Sequence, residues 1–291
     1  MTFRRTLLTL AAAGALLVTA GAAQGATSTA SIGAVDPFAG ATVTELMKPT
    51  PSWYTDELAA KAHAAAERGE GVPIPEGVNY PTSGLAFTGI RPGAWILEPA
   101  GCTANFVFGS PGNYYIGTAG HCAEVGDVVT IIAAPGILMT IGKTLKSVDG
   151  GIGNDFALIG IYPAMQQHVR PSMAHFGGPT GAGSPKFGDV CEHTGHGLVI
   201  GTGGTPRAGV VVYRGPGENS GSDAFAWDGA AAPGDSGSPV RLLNGQAAGD
   251  LTHLVVGGPY VPGVIAGTSI AKMLRIAGKP LATAPNVPNP L

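Results

Sequence analysis

The chain has 291 residues, a net charge of −3, 12% charged residues and 44% apolar ones. That balance excludes an intrinsically disordered chain, and the lack of any Lys/Arg block excludes an electrostatic nucleic-acid binder. Glycine supplies 47 residues, roughly double the ordinary share, which suits a turn-rich β protein.

In chain order, Arg4 and Arg5 precede an apolar run from Leu7 to Ala20, and small residues follow over 21–26. This pattern reads as a secretory signal over 1–25. The run is shorter than the roughly 20 residues of a comfortable membrane span, and no second apolar segment follows. The expectation is a secreted, extracellular monomer with no membrane contact after signal removal.

Residues 26–88 differ from the rest. Thr55 is placed to cap a helix from Asp56 to Arg68, with acids in its first turn, Arg68 in its last and Gly69 beyond. Leu58 is its only large apolar residue, so the helix must pack on something to persist. Pro73, Pro75 and Pro81 read as linker. The region is expected to be a pro-segment or N-terminal extension.

From residue 89 to 279 the pattern becomes short β-like runs between Gly, Pro and Asn turns. Asn105–Phe108, Tyr114–Ile116, Val128–Ile132 and Phe156–Ile161 come first; Leu198–Ile200, Val210–Tyr213 and Leu254–Val256 come later. Strands without long helices between them argue for barrels or sandwiches. A Gly/Pro/Ser-rich stretch over 175–185 divides them into two groups. A helix from Thr268 to Ala277, ended by Gly278 and Pro280, closes the pattern, and the tail over 280–291 reads as loose.

Three segments carry chemistry. Thr118-Ala119-Gly120-His121-Cys122 supplies a histidine, Asn154-Asp155-Phe156 an aspartate opening an apolar run, and Gly234-Asp235-Ser236-Gly237-Ser238-Pro239 a serine between glycines. The order His, Asp, Ser is one of the chain orders of a Ser-His-Asp triad. A serine hydroxyl needs a base to take its proton and a third group to hold that base. His121 suits the base, Asp155 the orienting group and Ser236 the nucleophile, while the N–H groups of Gly234 and Ser236 suit an oxyanion hole. Cys102 and Cys122 flank the strand pair leading into His121 and are expected to pair. Cys191 is then left over, read as a small buried apolar side chain before a reactive thiol. Cys191, His193 and His196 lack a fourth metal ligand, so no metal or cofactor is expected.

These residues resemble the trypsin/chymotrypsin-like serine peptidase family, above all its small exported bacterial branch of streptogrisins and α-lytic protease. The resemblance covers about residues 89–279. It implies an all-β fold of two six-stranded antiparallel barrels with a C-terminal helix, a triad between them, acyl-enzyme chemistry, and protein or peptide substrates. It places Thr252 and His253, in Gly249-Asp250-Leu251-Thr252-His253, on the strand that lines the specificity pocket, and Ala230 and Ala231 in the pocket loop. It also implies a buried Asp235 paired with a cation, for which Arg207 and Arg214 are candidates. The chain departs from the family at Ser238, where glycine is usual, at the missing partner of Cys191, and at the missing cysteine before Gly234. No acid stands where a trypsin-type pocket has one, so a neutral pocket for apolar or small side chains is expected. His253 and Ser238 also resemble features of glutamate-specific members. A catalytically quiet binding homologue and an esterase with the same triad are the rival readings.

Overall fold

The computed structural model describes residues 38–78, 80, 88–197, 203–258 and 260–288. The signal read over 1–25, the linker proline Pro81 and the β-like run Leu198–Ile200 lie outside the described residues. The N-terminal stretch forms strand β1 (Ala41–Glu45), helix α1 (Asp56–Ala66) and strand β2 (Val72–Pro73). A first antiparallel sheet holds β3 (Trp95–Glu98), β4 (Cys102–Thr103), β5 (Val107–Ser110), β6 (Asn113–Thr118), β7 (Val128–Ala134), β8 (Ile137–Asp149) and β9 (Asp155–Ile161). A second holds β10 (Val190–His196), β11 (Gly203–Gly215), β12 (Ala224–Asp228), β13 (Pro239–Leu242), β14 (Ala247–Asp250), β15 (His253–Gly257) and β16 (Tyr260–Thr268), and helix α2 (Ile270–Ala277) follows.

Each sheet closes on itself. The first runs β4-β3-β7-β8-β9-β6-β5, and its two end members are consecutive pieces of chain 102–110. The second runs β15-β16-β12-β11-β10-β13-β14, and its ends are consecutive pieces of chain 247–257. Taking each broken strand as one, both barrels have six strands, as the resemblance implies. Two strands are additional, and both come from the N-terminal stretch: β1 pairs with β15, and β2 pairs with β8.

The apolar runs are explained by the pleat. On β9, Ile159 and Ile161 enter the interior of the first barrel, while Phe156 and Leu158 face the opposite way, into a cluster with Phe106, Phe108, Ile270 and Met273. Alternate residues thus serve two cores, so the strand reads as continuously apolar. Helix α2 presents Ile270, Met273 and Ala277 to that second cluster, with Ser269 capping its start and Gly278 its left-handed end.

Beyond β1, the N-terminal stretch is bound to the outside of the first barrel from Lys48 onward. Thr55 caps α1 as expected, and Leu58 joins Tyr54, Ile74, Trp95, Leu97 and Leu138 in one apolar cluster. Glu98 accepts hydrogen bonds from Tyr54 (2.8 Å) and Thr130 (2.9 Å) and lies 2.8 Å from His63 Nε2. Two expectations change here. Pro73 lies in the short strand β2 and not in a linker, because at a barrel's outer face its missing N–H is not needed. The tail is also held: Ala282 donates to Val107, Ala284 to Pro179, and Arg241 to Asn286. Prolines there end the helix without releasing the chain.

Candidate active site

His121 sits on a single helical turn, Gly120–Cys122, directly after β6. A disulfide between Cys102 and Cys122 ties that turn to β4. Gly120 is required by space, since a Cβ there would come within 1.9 Å of the Val148 carbonyl. Asp155 opens β9, which pairs with β6, and this brings the carboxylate under the histidine.

His121 Nδ1 lies 2.7 Å from Asp155 Oδ2, and His121 Nε2 lies 2.7 Å from Ser236 Oγ. Asp155 also accepts from the backbone N–H groups of Gly120 and His121 (3.1 Å for the latter). The structure therefore brings His121, Asp155 and Ser236 into one contact chain, buried throughout. Burial pushes the His121 pKa down, but the Asp155 hydrogen bond and charge, with help from Glu45 and Asp149, outweigh it, and the value stands above the ordinary one. Asp250 is buried beside Asp155, and burial followed by that neighbouring charge raises its pKa well above the carboxylate range. It accepts from the Thr268 N–H, and Thr268 Oγ1 in turn bonds the Asp155 backbone.

Ser236 follows a turn locked by Asp235. The Asp235 carboxylate is fully buried and meets Arg207 bidentately, at 2.7 Å on each oxygen. The N–H groups of Ala232 (2.8 Å) and Gly197 (2.9 Å) donate to it as well. Arg214, the other candidate, instead pairs with Asp223. Gly234 takes φ +108°, a value that favours glycine, and its N–H turns inward beside that of Ser236.

Both of those N–H groups donate to a single atom, the carbonyl oxygen of Leu46, at 3.2 Å from Ser236 N. The Leu46 N–H lies 3.0 Å from Ser236 Oγ and 3.3 Å from the Thr252 carbonyl. Nothing in the sequence reading assigned residues 41–48 to this site. The signal present was the β-rich run Ala41-Thr42-Val43-Thr44, whose partner strand lies about two hundred residues away.

The residues expected to bind substrate are placed differently from one another. Thr252 presents its carbonyl to Leu46 and to Ser236 Oγ. Ala231 packs at the edge of the apolar cluster that holds Leu46, and Ala230 is exposed, its carbonyl taken by Arg207. His253 turns to the triad, its ring centroid 5.7 Å from that of His121 and its Nδ1 2.7 Å from Thr252 Oγ1. Burial lowers its pKa to about 4, so it stands neutral.

Glu45, His121 and His253 bring ligand atoms within 4.8 Å of one another. Both ring nitrogens of His121 are already engaged, by Asp155 and Ser236, so the cluster serves the triad. Cys191, His193 and His196 do not form a metal-sized group among the described residues. Cys191 is buried and unpaired, with burial pushing its thiol up to about 12. A cavity of about 740 Å³ between α1 and the first barrel, lined by His63, Glu67, Thr140 and Tyr162, holds none of the triad. The space beside Ser236 is filled by residues 41–48.

No family model matches the sequence, and no curated protein matches it. Solved structures do. A glutamic acid specific serine protease, described as using a histidine triad in substrate binding, matches with a TM-score of 0.50 at 17% identity, over 66% of this chain and all of its own. Thermobifida fusca protease A matches at 19% identity over 68% of this chain and 98% of its own, with a TM-score of 0.47. Cellulomonas bogoriensis chymotrypsin matches at 17% identity over 66% and 99%, with a TM-score of 0.48. The paired six-stranded barrels and the first of these matches agree: this chain has the fold of the trypsin/chymotrypsin-like serine peptidases.

Proposed function

We propose that the protein is a secreted serine endopeptidase that hydrolyses peptide bonds through an acyl-enzyme intermediate. The observation that carries this reading is the run of contacts from Asp155 through both nitrogens of His121 to Ser236 Oγ, each 2.7 Å, beside two N–H groups that converge on one carbonyl oxygen. His121 Nε2 takes the Ser236 proton as Oγ attacks the substrate carbonyl, then returns it to the leaving amine. Asp155 holds the imidazole with its proton on Nδ1 and stabilises the imidazolium. The Gly234 and Ser236 N–H groups stabilise the oxyanion, where one donor is typically worth about 2.7–4 kcal/mol. The Leu46 side chain, next to Ser236, is buried in an apolar cluster with Val211, Phe225 and Trp227, which supports preference for an uncharged side chain before the cleaved bond. Export rests on the N-terminal pattern of Arg4, Arg5 and the apolar run after them.

The reading is tested by a mass-spectrometric digest of a diverse peptide library by the protein and by its Ser236→Ala variant. A serine-directed fluorophosphonate label runs alongside. Cleavage and labelling that vanish in the variant support the endopeptidase. Labelling with ester turnover but no peptide cleavage indicates an esterase, and labelling of neither protein under any condition refutes the assignment.

A further inference from the structure

The segment through the cleft lies there as a substrate would. Strand β1 pairs antiparallel with β15, with Thr44 opposite Leu254 and Glu45 opposite His253. Leu46 continues the ladder to Thr252, points its carbonyl oxygen between the Gly234 and Ser236 N–H groups, and buries its side chain to 1% exposure. It sits in the cluster of Val211, Phe225, Trp227 and Leu251, with Ala231 at the edge. Beyond the crossing point the chain pairs with the other barrel. Lys48 and Gly101 exchange both backbone hydrogen bonds, at 3.0 and 2.8 Å. Lys48 Nζ donates to the His196 carbonyl at 2.6 Å and lies 4.1 Å above the Trp95 ring. Between these two anchored halves, Met47 is exposed.

Simple packing of an extension explains the buried leucine. It does not explain why two inward-turned N–H groups beside the nucleophile both meet the same carbonyl oxygen. We infer that the Leu46–Met47 bond is cleaved by the protein's own Ser236, and that residues 41–48 block the cleft until this happens. The inference rests on the function proposed above.

The step balances with water as the only co-reactant. Ser236 Oγ bonds to the Leu46 carbonyl carbon as its proton passes to His121 Nε2. The carbon–nitrogen bond to Met47 breaks as His121 returns that proton to the Met47 nitrogen. Water then enters, His121 again carries the proton, and Leu46 leaves as a carboxylate while Ser236 regains its hydroxyl. The cut divides the N-terminal stretch. Residues 41–45 pair in the ladder of the second barrel, while residues 47–78 stay on the first through Lys48, α1, β2 and Glu98. The boundary of the working protein therefore falls at 46/47, not near residue 88.

The test uses the full chain, wild type and Ser236→Ala, followed by denaturing intact-mass measurement and N-terminal sequencing. The expected result is a wild-type fragment ending at Leu46 and another beginning at Met47, formed at a rate that does not change on tenfold dilution. Ser236→Ala should stay whole at this bond. Leu46→Asp puts a charge where the apolar pocket cannot solvate it. It should slow self-cleavage by more than about tenfold and speed fluorophosphonate labelling by a similar factor. Leu46→Gly, checked by circular dichroism, makes the same comparison if the aspartate variant does not fold. A wild type that is labelled and cleaves peptides while its own Leu46–Met47 bond stays intact overturns this inference and leaves the proposed function standing. So does a Ser236→Ala protein cut at the same bond, which would indicate another protease. Wild type and both Leu46 variants that neither take the label nor cleave peptides would overturn the proposed function, and this inference with it.

Discussion

Replacing Arg207 by Met is expected to destabilise the fold by about 3 kcal/mol. Asp235 is fully buried, and the Arg207 side chain is only 10% exposed, so solvent screens the pair weakly. Removing one partner of a buried pair typically costs about 3–5 kcal/mol, because the other charge is left uncompensated. Two backbone N–H groups would remain on the carboxylate, and Lys48 acts on it as a second cation, so the lower end applies. For a domain of this size about 2–4 °C accompanies each kcal/mol, which gives a melting temperature roughly 6–12 °C lower. Urea and thermal unfolding of the pair in a Ser236→Ala background, where self-cleavage cannot interfere, measure it. The double variant Arg207→Met/Asp235→Asn removes the charge as well as its partner and should recover most of the loss. A single variant within about 0.5 kcal/mol of the parent, or a double variant no better than the single, would refute the reasoning.

The Cys102–Cys122 bridge closes a loop with a sequence separation of 20, so replacing both by Ser should cost about 3 kcal/mol in denaturant midpoint analysis. Cys191, buried with a raised pKa, should resist a thiol reagent in the native protein and react on unfolding; rapid native modification would contradict its placement. Burial holds His193, His196 and His253 down to about 4, 3 and 4. These rings stay neutral in the fold while the unfolded chain takes up protons below about pH 6.5, so stability should fall as the pH drops from 6.5 towards 4, by on the order of 1.4 kcal/mol per pH unit for each ring. His121 has the opposite sign, because its raised pKa contributes stability at low pH that is lost as the pH rises through its folded value. Unfolding curves at pH 7, 6 and 5 that superimpose would refute the balance. In peptide digests, leucine before the cleaved bond should exceed alanine by about 1–3 kcal/mol in kcat/KM, roughly 10–200-fold, and Arg or Glu should fall below both. Cleavage mainly after Arg or Glu would exclude the pocket described.

The residues legible in the sequence are those whose surroundings are set nearby. His121 lies between a glycine demanded by Val148 and a cysteine bridged to β4, and Ser236 follows a glycine whose φ of +108° a side chain would resist. The choice between Arg207 and Arg214 was not legible, because it depends on partner strands. Arg207 stands opposite His193, close to Asp235, while Arg214 lies beyond a register shift, opposite Phe225. That Thr252 would act through its backbone and His253 through its ring was not legible either. The Thr252 backbone carbonyl meets Leu46 and Ser236, whereas the His253 ring lies beside His121. Strand β1 was hidden for a different reason. A five-residue run gives little periodicity, and its meaning lies in a ladder to residues 253–257.

The same distance in sequence explains how a modest set of contacts can hold the cleft closed. While the chain is whole, Lys48 and α1 on the first barrel present Leu46 to the second, and docking loses no translational freedom. The contacts of the docked piece are few. Burying the Leu46 side chain is worth about 1.5–3 kcal/mol, and each ladder hydrogen bond about 0.5–1.5 kcal/mol net. A separate peptide making those contacts would face an association cost of about 4–15 kcal/mol. The block is therefore strong because it is tethered, not because its contacts are. Breaking one bond at Leu46–Met47 turns an internal strand into a weak ligand while leaving every contact of residues 47–78 in place, so that cut frees the apolar pocket and the oxyanion hole without loosening the first barrel.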